Sequence, residues 1–181
     1  MEPHADLAAV ARRAGLDVRD GRLPGDLVVA PGWADVVLML DVIEHLDDDR
    51  AALATARRAL VPEGLLVVTA PAYAWLWSAH DVALGHRRRY TVSGLARLAE
   101  AAAFRVARLT CFNTLLFPAL VVQRLSRRLR GDSCHDLGGV PRSVNAWLEH
   151  LFALERHVLP HTALPFGASV LMIARRGGGT P

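Results

Sequence analysis

The sequence predicts a single domain of the α/β class, and three observations support this prediction. The chain has 181 residues, which is enough for one sizeable core and short for two ordinary domains. Hydrophobic residues make up 52% and charged residues 22% of it, as expected of a folded globular protein. Apolar runs typical of buried strands alternate with stretches that have apolar residues at helical spacing. This alternation favours strand–helix–strand units and a parallel sheet.

The amino-terminal part of the chain predicts a short helix followed by a short strand. Leu7, Val10 and Ala14 recur at helical spacing, and Gly15 stands where a left-handed helix end is expected. The alternating run 16–19 is strand-like. The Pro-Gly pairs that follow it indicate a loop.

A strand–helix–strand unit comes next. The apolar run 34–40 is typical of a parallel strand that is buried on both faces. The acidic run 47–49 can cap a helix with an apolar face, and the turn 62–64 ends that helix before a second apolar run at 65–69.

The rest of the chain predicts a helix from Thr91, a strand over 104–110 and a closing strand over 167–174. Between these strands, the stretch 113–130 is first apolar and then basic. Residues 144–152 have the spacing of a further amphipathic helix.

The most specific motif begins where the run 34–40 ends, and it reads Asp-Val-Ile-Glu-His over residues 41–45. Ligands of open α/β sheets bind beyond the carboxyl ends of the strands, so this motif would face a ligand. The same polar cluster can also be a helix cap in a solvated loop. A metal site of Asp41, Glu44 and His45 is disfavoured because no matching ligand set appears elsewhere, and we predict no metal.

A second motif lies in the loop after the run 65–69. It contains two tryptophans, two histidines and an arginine run, at positions 75, 77, 80, 86 and 87–89. Such a loop gives an apolar wall with hydrogen-bond donors, which suits a ligand with an apolar body and a polar or anionic head. Arg88 and Tyr90 can equally brace the helix that starts at Thr91.

Together the two motifs resemble the class I S-adenosylmethionine-dependent methyltransferases. In that family the fourth strand ends in an acidic-apolar-apolar-Glu-His sequence, and a Leu-x-Pro-Gly-Gly turn precedes the fifth. The bacterial type 11 and type 23 branch carries a loop similar to the second motif, from Trp77 through His80 and His86 to Thr91. The resemblance implies a Rossmann-like sheet with a C-terminal helical lid insertion and a closing antiparallel strand. It also implies S-adenosyl-L-methionine as the cofactor.

The sequence departs from this family at its start. The Gly-x-Gly-x-Gly loop that follows the family's first strand is absent, and Glu2 stands where an acidic residue ends the second strand. The family's strand order, 3-2-1-4-5-7-6, puts the first strand at the centre of the sheet. We therefore expect a domain truncated at its N-terminus, without the first strand and most of the second. Its loss would expose the edge of the strand at 36–40.

Three groups of candidate site residues follow. The catalytic base would be His45, because imidazole titrates near neutrality, although it can also be a packing residue. The resemblance implies that the cofactor is bound by residues near strand ends, which are Glu2, Asp20, Gly21, Leu40, Asp41 and Val42. The acceptor would be bound by residues of the second motif, which are Trp77, His80, His86, Arg88 and Tyr90.

We expect residues 1–181 to form this one partial domain. Its parts are a core over 1–110, a helical lid and acceptor region over 111–160, a closing strand over 161–176 and a tail over 177–181. The stretch 112–130 can be a lid helix, or it can lie at a membrane surface beside a lipid substrate. Both interpretations suit an apolar acceptor.

Composition and charge limit the kinds of partner and location that the sequence predicts. All 21 basic residues are arginine, and the net charge is only +3. The arginine runs are short and lack a recognised motif, so we expect no nucleic acid. The absence of a signal peptide and the unrelated contexts of the two cysteines favour a cytoplasmic protein. The longest apolar stretch, 114–122, is too short to span a membrane.

We therefore expect methyl transfer to a small or lipid-like acceptor. The alternative is a truncated or degenerate domain without catalysis, which acts as a partner subunit and can self-associate at the exposed sheet edge. A nucleotide-binding or reductase domain is a weaker hypothesis, because its glycine fingerprint is absent as well.

Overall fold

The described part of the chain forms a four-stranded sheet with helices packed against it. The computed structural model describes residue 2 and residues 4–26, 29–115, 117–130 and 152–178, and for 127–130 only the backbone. The helices are α1 (Ala5–Arg13), α2 (Asp49–Ala59), α3 (Ala79–Ala83), α4 (Val92–Ala101) and α5 (Phe117–Arg130), with 3-10 turns at Ile43–His45 and Ala74–Leu76. The strands are β1 (Ala34–Leu40), β2 (Leu60–Pro71), β3 (Phe104–Phe112) and β4 (Ser169–Arg176).

The strand order of the sheet is β1-β2-β4-β3. Strands β1 and β2 are parallel, and Leu40 of β1 lies opposite Thr69 of β2. Strand β4 enters antiparallel between β2 and β3. The predicted α/β class, with an open sheet and a closing antiparallel strand, is confirmed.

One face of the sheet is covered by α2 and α4. Alternate residues of β2 and β4 point into this layer, and they include Leu66, Val68 and Met172, all fully buried. Leu53 of α2 and Leu95 of α4 are buried against them. Burial of side chains this large supplies roughly 2 kcal/mol each, so this layer is the core of the domain.

The other face of β1 is open among the described residues, contrary to the prediction that both faces are buried. Val36, Leu38 and Leu40 are 48%, 60% and 52% exposed, whereas Met39, which points toward α2 and α4, is 1% exposed. The reason is position, because β1 is the outermost strand of the described sheet and only one of its faces has a helix layer. The exposed edge that we expected at 36–40 is therefore present in the described sheet.

The amino-terminal prediction is confirmed for the helix and wrong for the strand. Helix α1 ends at Arg13, and Gly15 follows with φ +85, in the left-handed region. The run 16–19 forms no strand. Asp20 makes an isolated parallel bridge with Glu2, which is the only β contact of this segment among the described residues.

The boundary between α2 and β2 differs from the prediction. Asp48 caps α2 by accepting the amide of Ala51, as expected of the acidic run. The helix then passes directly into β2 at Leu60, so the turn 62–64 lies inside the strand instead of before it. A Cβ at Gly64 would meet the carbonyl oxygen of Val61 at 2.9 Å, which explains glycine there.

The carboxyl-terminal elements match the prediction where they are described. Thr91 caps α4 by accepting the amide of Gly94. Strand β3 runs past the predicted end at residue 110, and α3 was not predicted. The predicted loop at 131–141 and most of the predicted helix at 144–152 lie outside the described residues. The described part of the chain has no helix that is long and apolar enough to cross a membrane.

Glu155 fastens a helical segment, residues 152–158, to the end of β3. Its side chain is 5% exposed. Its carboxylate accepts the backbone amides of Asn113, Thr114 and Leu115 at 2.7, 2.6 and 2.9 Å. One buried side chain thus satisfies three amides just before α5 begins, and we call this contact the Glu155 clamp.

Candidate functional site

The carboxyl ends of β1 and β2 are joined through Asp41. Its backbone has φ 51, a left-handed conformation that aspartate tolerates better than most residues. Its amide donates to Oγ1 of Thr69 at 3.0 Å, and that hydroxyl donates to the Asp41 carboxylate at 3.2 Å. Asp41 and Leu40 are exposed and Val42 is half-buried, so the predicted cofactor-binding group here lies on an open strand end.

Glu44 is the most unusual group of the site. It belongs to the 3-10 turn Ile43–His45, and its side chain is only 1% exposed. Among the described residues, neither carboxylate oxygen has a hydrogen-bond partner. Burial raises the pKa of Glu44 to about 7, and the nearby Asp41 carboxylate adds to that rise, while its own backbone amide and Arg89 oppose it.

A second buried carboxylate, Asp81, is fully paired. Arg89 donates to it twice, with Nε to Oδ1 at 2.7 Å and Nη2 to Oδ2 at 3.0 Å. His86 contributes Nδ1 at 2.9 Å and Ser78 its amide at 2.9 Å. Burial alone would raise the pKa of Asp81, but the hydrogen bonds from Arg89 and His86 outweigh it and lower the pKa to about 2.

The charge on Asp81 fixes the tautomer of His86. Because the carboxylate is ionised near neutral pH, it accepts a hydrogen bond and Nδ1 of His86 carries the proton. When the ring is neutral, Nε2 is the nitrogen that can accept a hydrogen bond or bind a metal. The ring of His45 meets the ring of His86 edge-on, with centroids 4.8 Å apart. The structure thus places the predicted base beside a predicted acceptor-binding residue.

Arg88 and Tyr90 lie on the same loop but point toward the start of α2. Arg88 binds the carboxylate of Asp49 at 3.1 Å and the carbonyl oxygens of Leu46 and Asp47. The hydroxyl of Tyr90 donates to Asp49 at 2.8 Å, and burial raises its pKa. These groups brace α2 rather than the helix at Thr91, and their contact with an acceptor stays a prediction.

The aromatic wall combines Trp75 of the second motif with residues that lie outside it. Tyr73 stacks on Trp75 at 5.8 Å between ring centroids, and Phe117 of α5 lies 5.7 Å from Tyr73. Phe166 lies 5.7 Å from Phe117. We call these four residues the aromatic cluster. Trp77 is half-buried after the turn Ala74–Leu76, and His80 is exposed on α3.

The remaining predicted cofactor residues lie together in the segment before β1. The bridge between Glu2 and Asp20 sets them side by side, and Gly21 follows directly. Oε1 of Glu2 accepts the amide of His4 at 2.8 Å, and Oδ1 of Asp20 pairs with Arg12 at 2.9 Å. Each carboxylate is thus held in place through one of its oxygens.

The predicted site residues do not include four residues that make or lack the contacts described above. These residues are Glu44, Thr69, Asp81 and Arg89. A signal existed for Asp81, because Ser78 and Asp81 have the spacing of a capping box, which the structure contains. Burial of Glu44 had no local signal, since it depends on the loop that arrives from β2.

Comparison with known proteins gives a family match and several structural matches. A family model described as a methyltransferase domain matches residues 4–109. An S-adenosylmethionine dependent methyltransferase from Mesorhizobium loti superposes with a TM-score of 0.59 at 16% identity, over 97% of this chain and 78% of that one. A SAM dependent methyltransferase from Archaeoglobus fulgidus gives 0.57 at 16% identity, over 96% and 73%.

A third match has a different reaction in its name. The cyclase SpnF superposes with a TM-score of 0.53 at 20% identity, over 95% of this chain and 61% of that one. At such identities the structural matches establish the Rossmann-like methyltransferase fold, and the reaction must be argued from the site. No curated protein matches the sequence.

Proposed function

The chain belongs to the methyltransferase domain family, and from this premise we propose that it transfers a methyl group from S-adenosylmethionine to a small or lipid-like acceptor. The observation that carries the proposal is the set of polar groups beyond the ends of β1 and β2. There, Asp41 is locked to Thr69, and Glu44, His45 and His86 stand next to it along the same end of the sheet. A cytoplasmic location is part of the proposal.

The residues present fit S-adenosylmethionine at the ribose and adenine end. Oε1 of Glu2 and Oδ1 of Asp20 are each held by a local donor, and the second oxygen of each carboxylate has no hydrogen-bond partner among the described residues. These oxygens would accept from ribose hydroxyls or from the adenine amino group. Leu40 and Val42 would offer apolar contact beside Asp41.

When bound, the cofactor supplies an activated methyl group on a sulfonium, so the protein contributes mainly alignment. Asp41 would attract the positive end of the cofactor, since its carboxylate is exposed and fixed by Thr69. His45, which is exposed, would take a proton from an acceptor that needs to lose one. The paired His86 would hold a hydrogen-bonding group of the acceptor.

The aromatic cluster supports an acceptor with an apolar part. Trp75 and Phe166 are 45% and 43% exposed, which is a large open area for such side chains. Val122 and Leu125 of α5 are 67% and 49% exposed, which also suits contact with lipid. Whether 112–130 is a lid or a membrane contact stays a prediction.

The first test is titration of S-adenosylhomocysteine into the purified chain. We expect micromolar binding, with loss of roughly tenfold or more in Asp41→Asn, because a charged hydrogen-bonding partner is worth about 1.5–3 kcal/mol. Asparagine tolerates the left-handed backbone of Asp41, so the change removes charge without adding strain. Asp35→Asn is the matched control, since Asp35 is exposed at the opposite end of the same strand.

Equal affinity of Asp41→Asn and Asp35→Asn would remove Asp41 from the site. Absence of binding by the unaltered chain would contradict the proposal as a whole. With binding established, transfer of a labelled methyl group to small amines, phenols and lipids would identify the acceptor class.

A second candidate function is a non-catalytic partner subunit, and the open face and edge of β1 favour it. Val36, Leu38 and Leu40 present apolar side chains on an edge strand, which is a surface that invites pairing. Light scattering would detect self-association. Conversion to a monomer by Leu38→Lys, together with no binding of S-adenosylhomocysteine, would favour this function over methyl transfer.

A further inference from the structure

Glu44 has a property that methyl transfer does not explain. Its side chain is 99% removed from solvent, and neither oxygen has a hydrogen-bond partner within the described residues. Native proteins pair nearly all of their buried polar groups, because an unpaired one costs about 1–3 kcal/mol. Buried charges in proteins are paired or coordinate metals, so an unpaired buried carboxylate is a candidate metal ligand.

Two imidazoles stand in the right place to complete such a site. The ligand atoms of Glu44, His45 and His86 all lie within 4.8 Å of one another. In a tetrahedral zinc site with bonds of about 2.1 Å, ligand atoms stand roughly 3.4 Å apart. A small side-chain rotation would therefore bring the three ligand atoms to zinc-binding distances. His45 can rotate because its side chain is exposed.

The surroundings of His86 are those of a metal ligand. Asp81 accepts a hydrogen bond from Nδ1, so Nε2 is the ring nitrogen that remains for a metal ion. Histidines that bind metals commonly donate their second ring nitrogen to a carboxylate, which fixes the ring and raises its basicity. Asp81 is itself held by Arg89 and Ser78, so the ring has little freedom to turn.

We propose that Glu44, His45 and His86 bind a divalent transition-metal ion of the zinc class. Two histidines and one glutamate form a donor set that zinc uses in catalytic sites, where the fourth position stays open for water or substrate. The sequence prediction of no metal rested on Asp41, Glu44 and His45. The structure replaces Asp41 in that set with His86, which arrives from the loop after β2 and could not be paired with Glu44 by spacing.

The test is independent of methyl transfer, since metal binding is measured without cofactor or acceptor, although a bound ion would take the nitrogen of His45 that the proposed base uses. Zinc sulfate is titrated by calorimetry into the chelator-treated protein of 181 residues. We expect one ion per chain, and a loss of affinity of roughly tenfold or more in both Glu44→Gln and His45→Ala, because each removes one of three ligands. His161→Ala is the control, since His161 is exposed and outside the set, and it should bind as the unaltered chain does.

Cobalt gives a second readout that does not depend on stability. Tetrahedral Co²⁺ has visible absorption bands, which should be present in the unaltered chain and in His161→Ala and absent in Glu44→Gln and His45→Ala. His45→Ala changes an exposed side chain, so the fold is retained and the comparison holds. No zinc binding by the unaltered chain, or equal binding by all four proteins, would overturn the proposal.

Discussion

Glu44 and Asp81 are two carboxylates buried to the same extent at one end of the sheet, yet their charges differ. Their relative exposures are 1% and 0%, and their pKa values are about 7 and about 2. Asp81 accepts hydrogen bonds from Arg89, His86 and Ser78, whereas Glu44 accepts none of normal geometry from the described residues. Burial alone therefore does not decide the charge of a carboxylate, and the donors around it do.

The largest loss of stability is expected for Asp81→Asn. The change leaves the guanidinium of Arg89 buried without its charged partner, and breaking a buried pair in this way costs about 3–5 kcal/mol. Urea denaturation at pH 7 measures the loss. Asp47→Asn is the control, because Asp47 pairs with Arg87 at a site where the side chains are 79% and 53% exposed. That surface pair is worth only about 0.2–1 kcal/mol. Equal losses in the two variants would contradict the role given to Asp81.

The next largest effect is the pH dependence that Glu44 imposes on the metal-free protein. The folded pKa of about 7 lies above the ordinary value of 4.5, so the unfolded chain ionises first and stability falls as pH rises between these values. The fall amounts to about 3 kcal/mol at most. Denaturation in the presence of a chelator at pH 5 and pH 8 measures it.

Glu44→Gln is the control for this test because glutamine does not titrate. The variant should match the unaltered chain near pH 5, where Glu44 is neutral, and should be the more stable protein at pH 8. Parallel pH curves for the two proteins would show that Glu44 has an ordinary pKa.

Asp81 should give the opposite slope at acid pH. Its folded pKa of about 2 lies below the ordinary value of 3.8, so its contribution is complete above that value and is lost as pH falls toward 2. We expect about 2 kcal/mol. Circular dichroism with urea between pH 2 and pH 5 measures this loss, and subtraction of the Asp81→Asn curve removes the part due to other carboxylates. An unchanged difference between the two curves across this range would refute the assignment.

The smallest effect is expected for Arg89→Lys. Lysine keeps the positive charge but cannot make the paired contact of Nε and Nη2 with both oxygens of Asp81, and we expect a loss of about 1–2 kcal/mol in thermal or urea unfolding. Arg87→Lys should change stability by less, since Arg87 is exposed. A larger loss in Arg87→Lys would contradict the bidentate contact as the source of stability.

The sequence was sufficient for those parts of the fold that rest on local pattern. The run 34–40, the Asp48 cap and the Thr91 cap each carry their signal within a few residues, and the structure contains all three. The burial of β1 could not be predicted, because an apolar run looks the same in a central strand and at an edge. The end of α2 differs from the prediction because the turn 62–64 is typical of a helix end, whereas the strand begins at Leu60.

The candidate site was less predictable for a physical reason. Its groups come from the ends of β1 and β2 and meet only after the parallel pairing forms, so spacing along the chain does not reveal that His86 stands beside Glu44. The two motifs identified His45 and His86 separately, one histidine each. The pairing of Asp81 with Arg89 had no signal in the sequence, because neither the capping-box spacing of Asp81 nor the arginine run 87–89 shows that these side chains meet.

The Glu155 clamp has a consequence for how this chain could vary. It joins two points that are 41 positions apart in sequence, residues 114 and 155, through a contact that uses only backbone amides on one side. Any residue except proline supplies such an amide, so the contact places few demands on the sequence of the partner segment. The stretch between the two points could therefore be replaced by that of a relative, while Glu155 still binds the amides at the end of β3. Chimaeras joined just after α5 begins and just before Glu155 would test the proposal that this stretch contacts the acceptor.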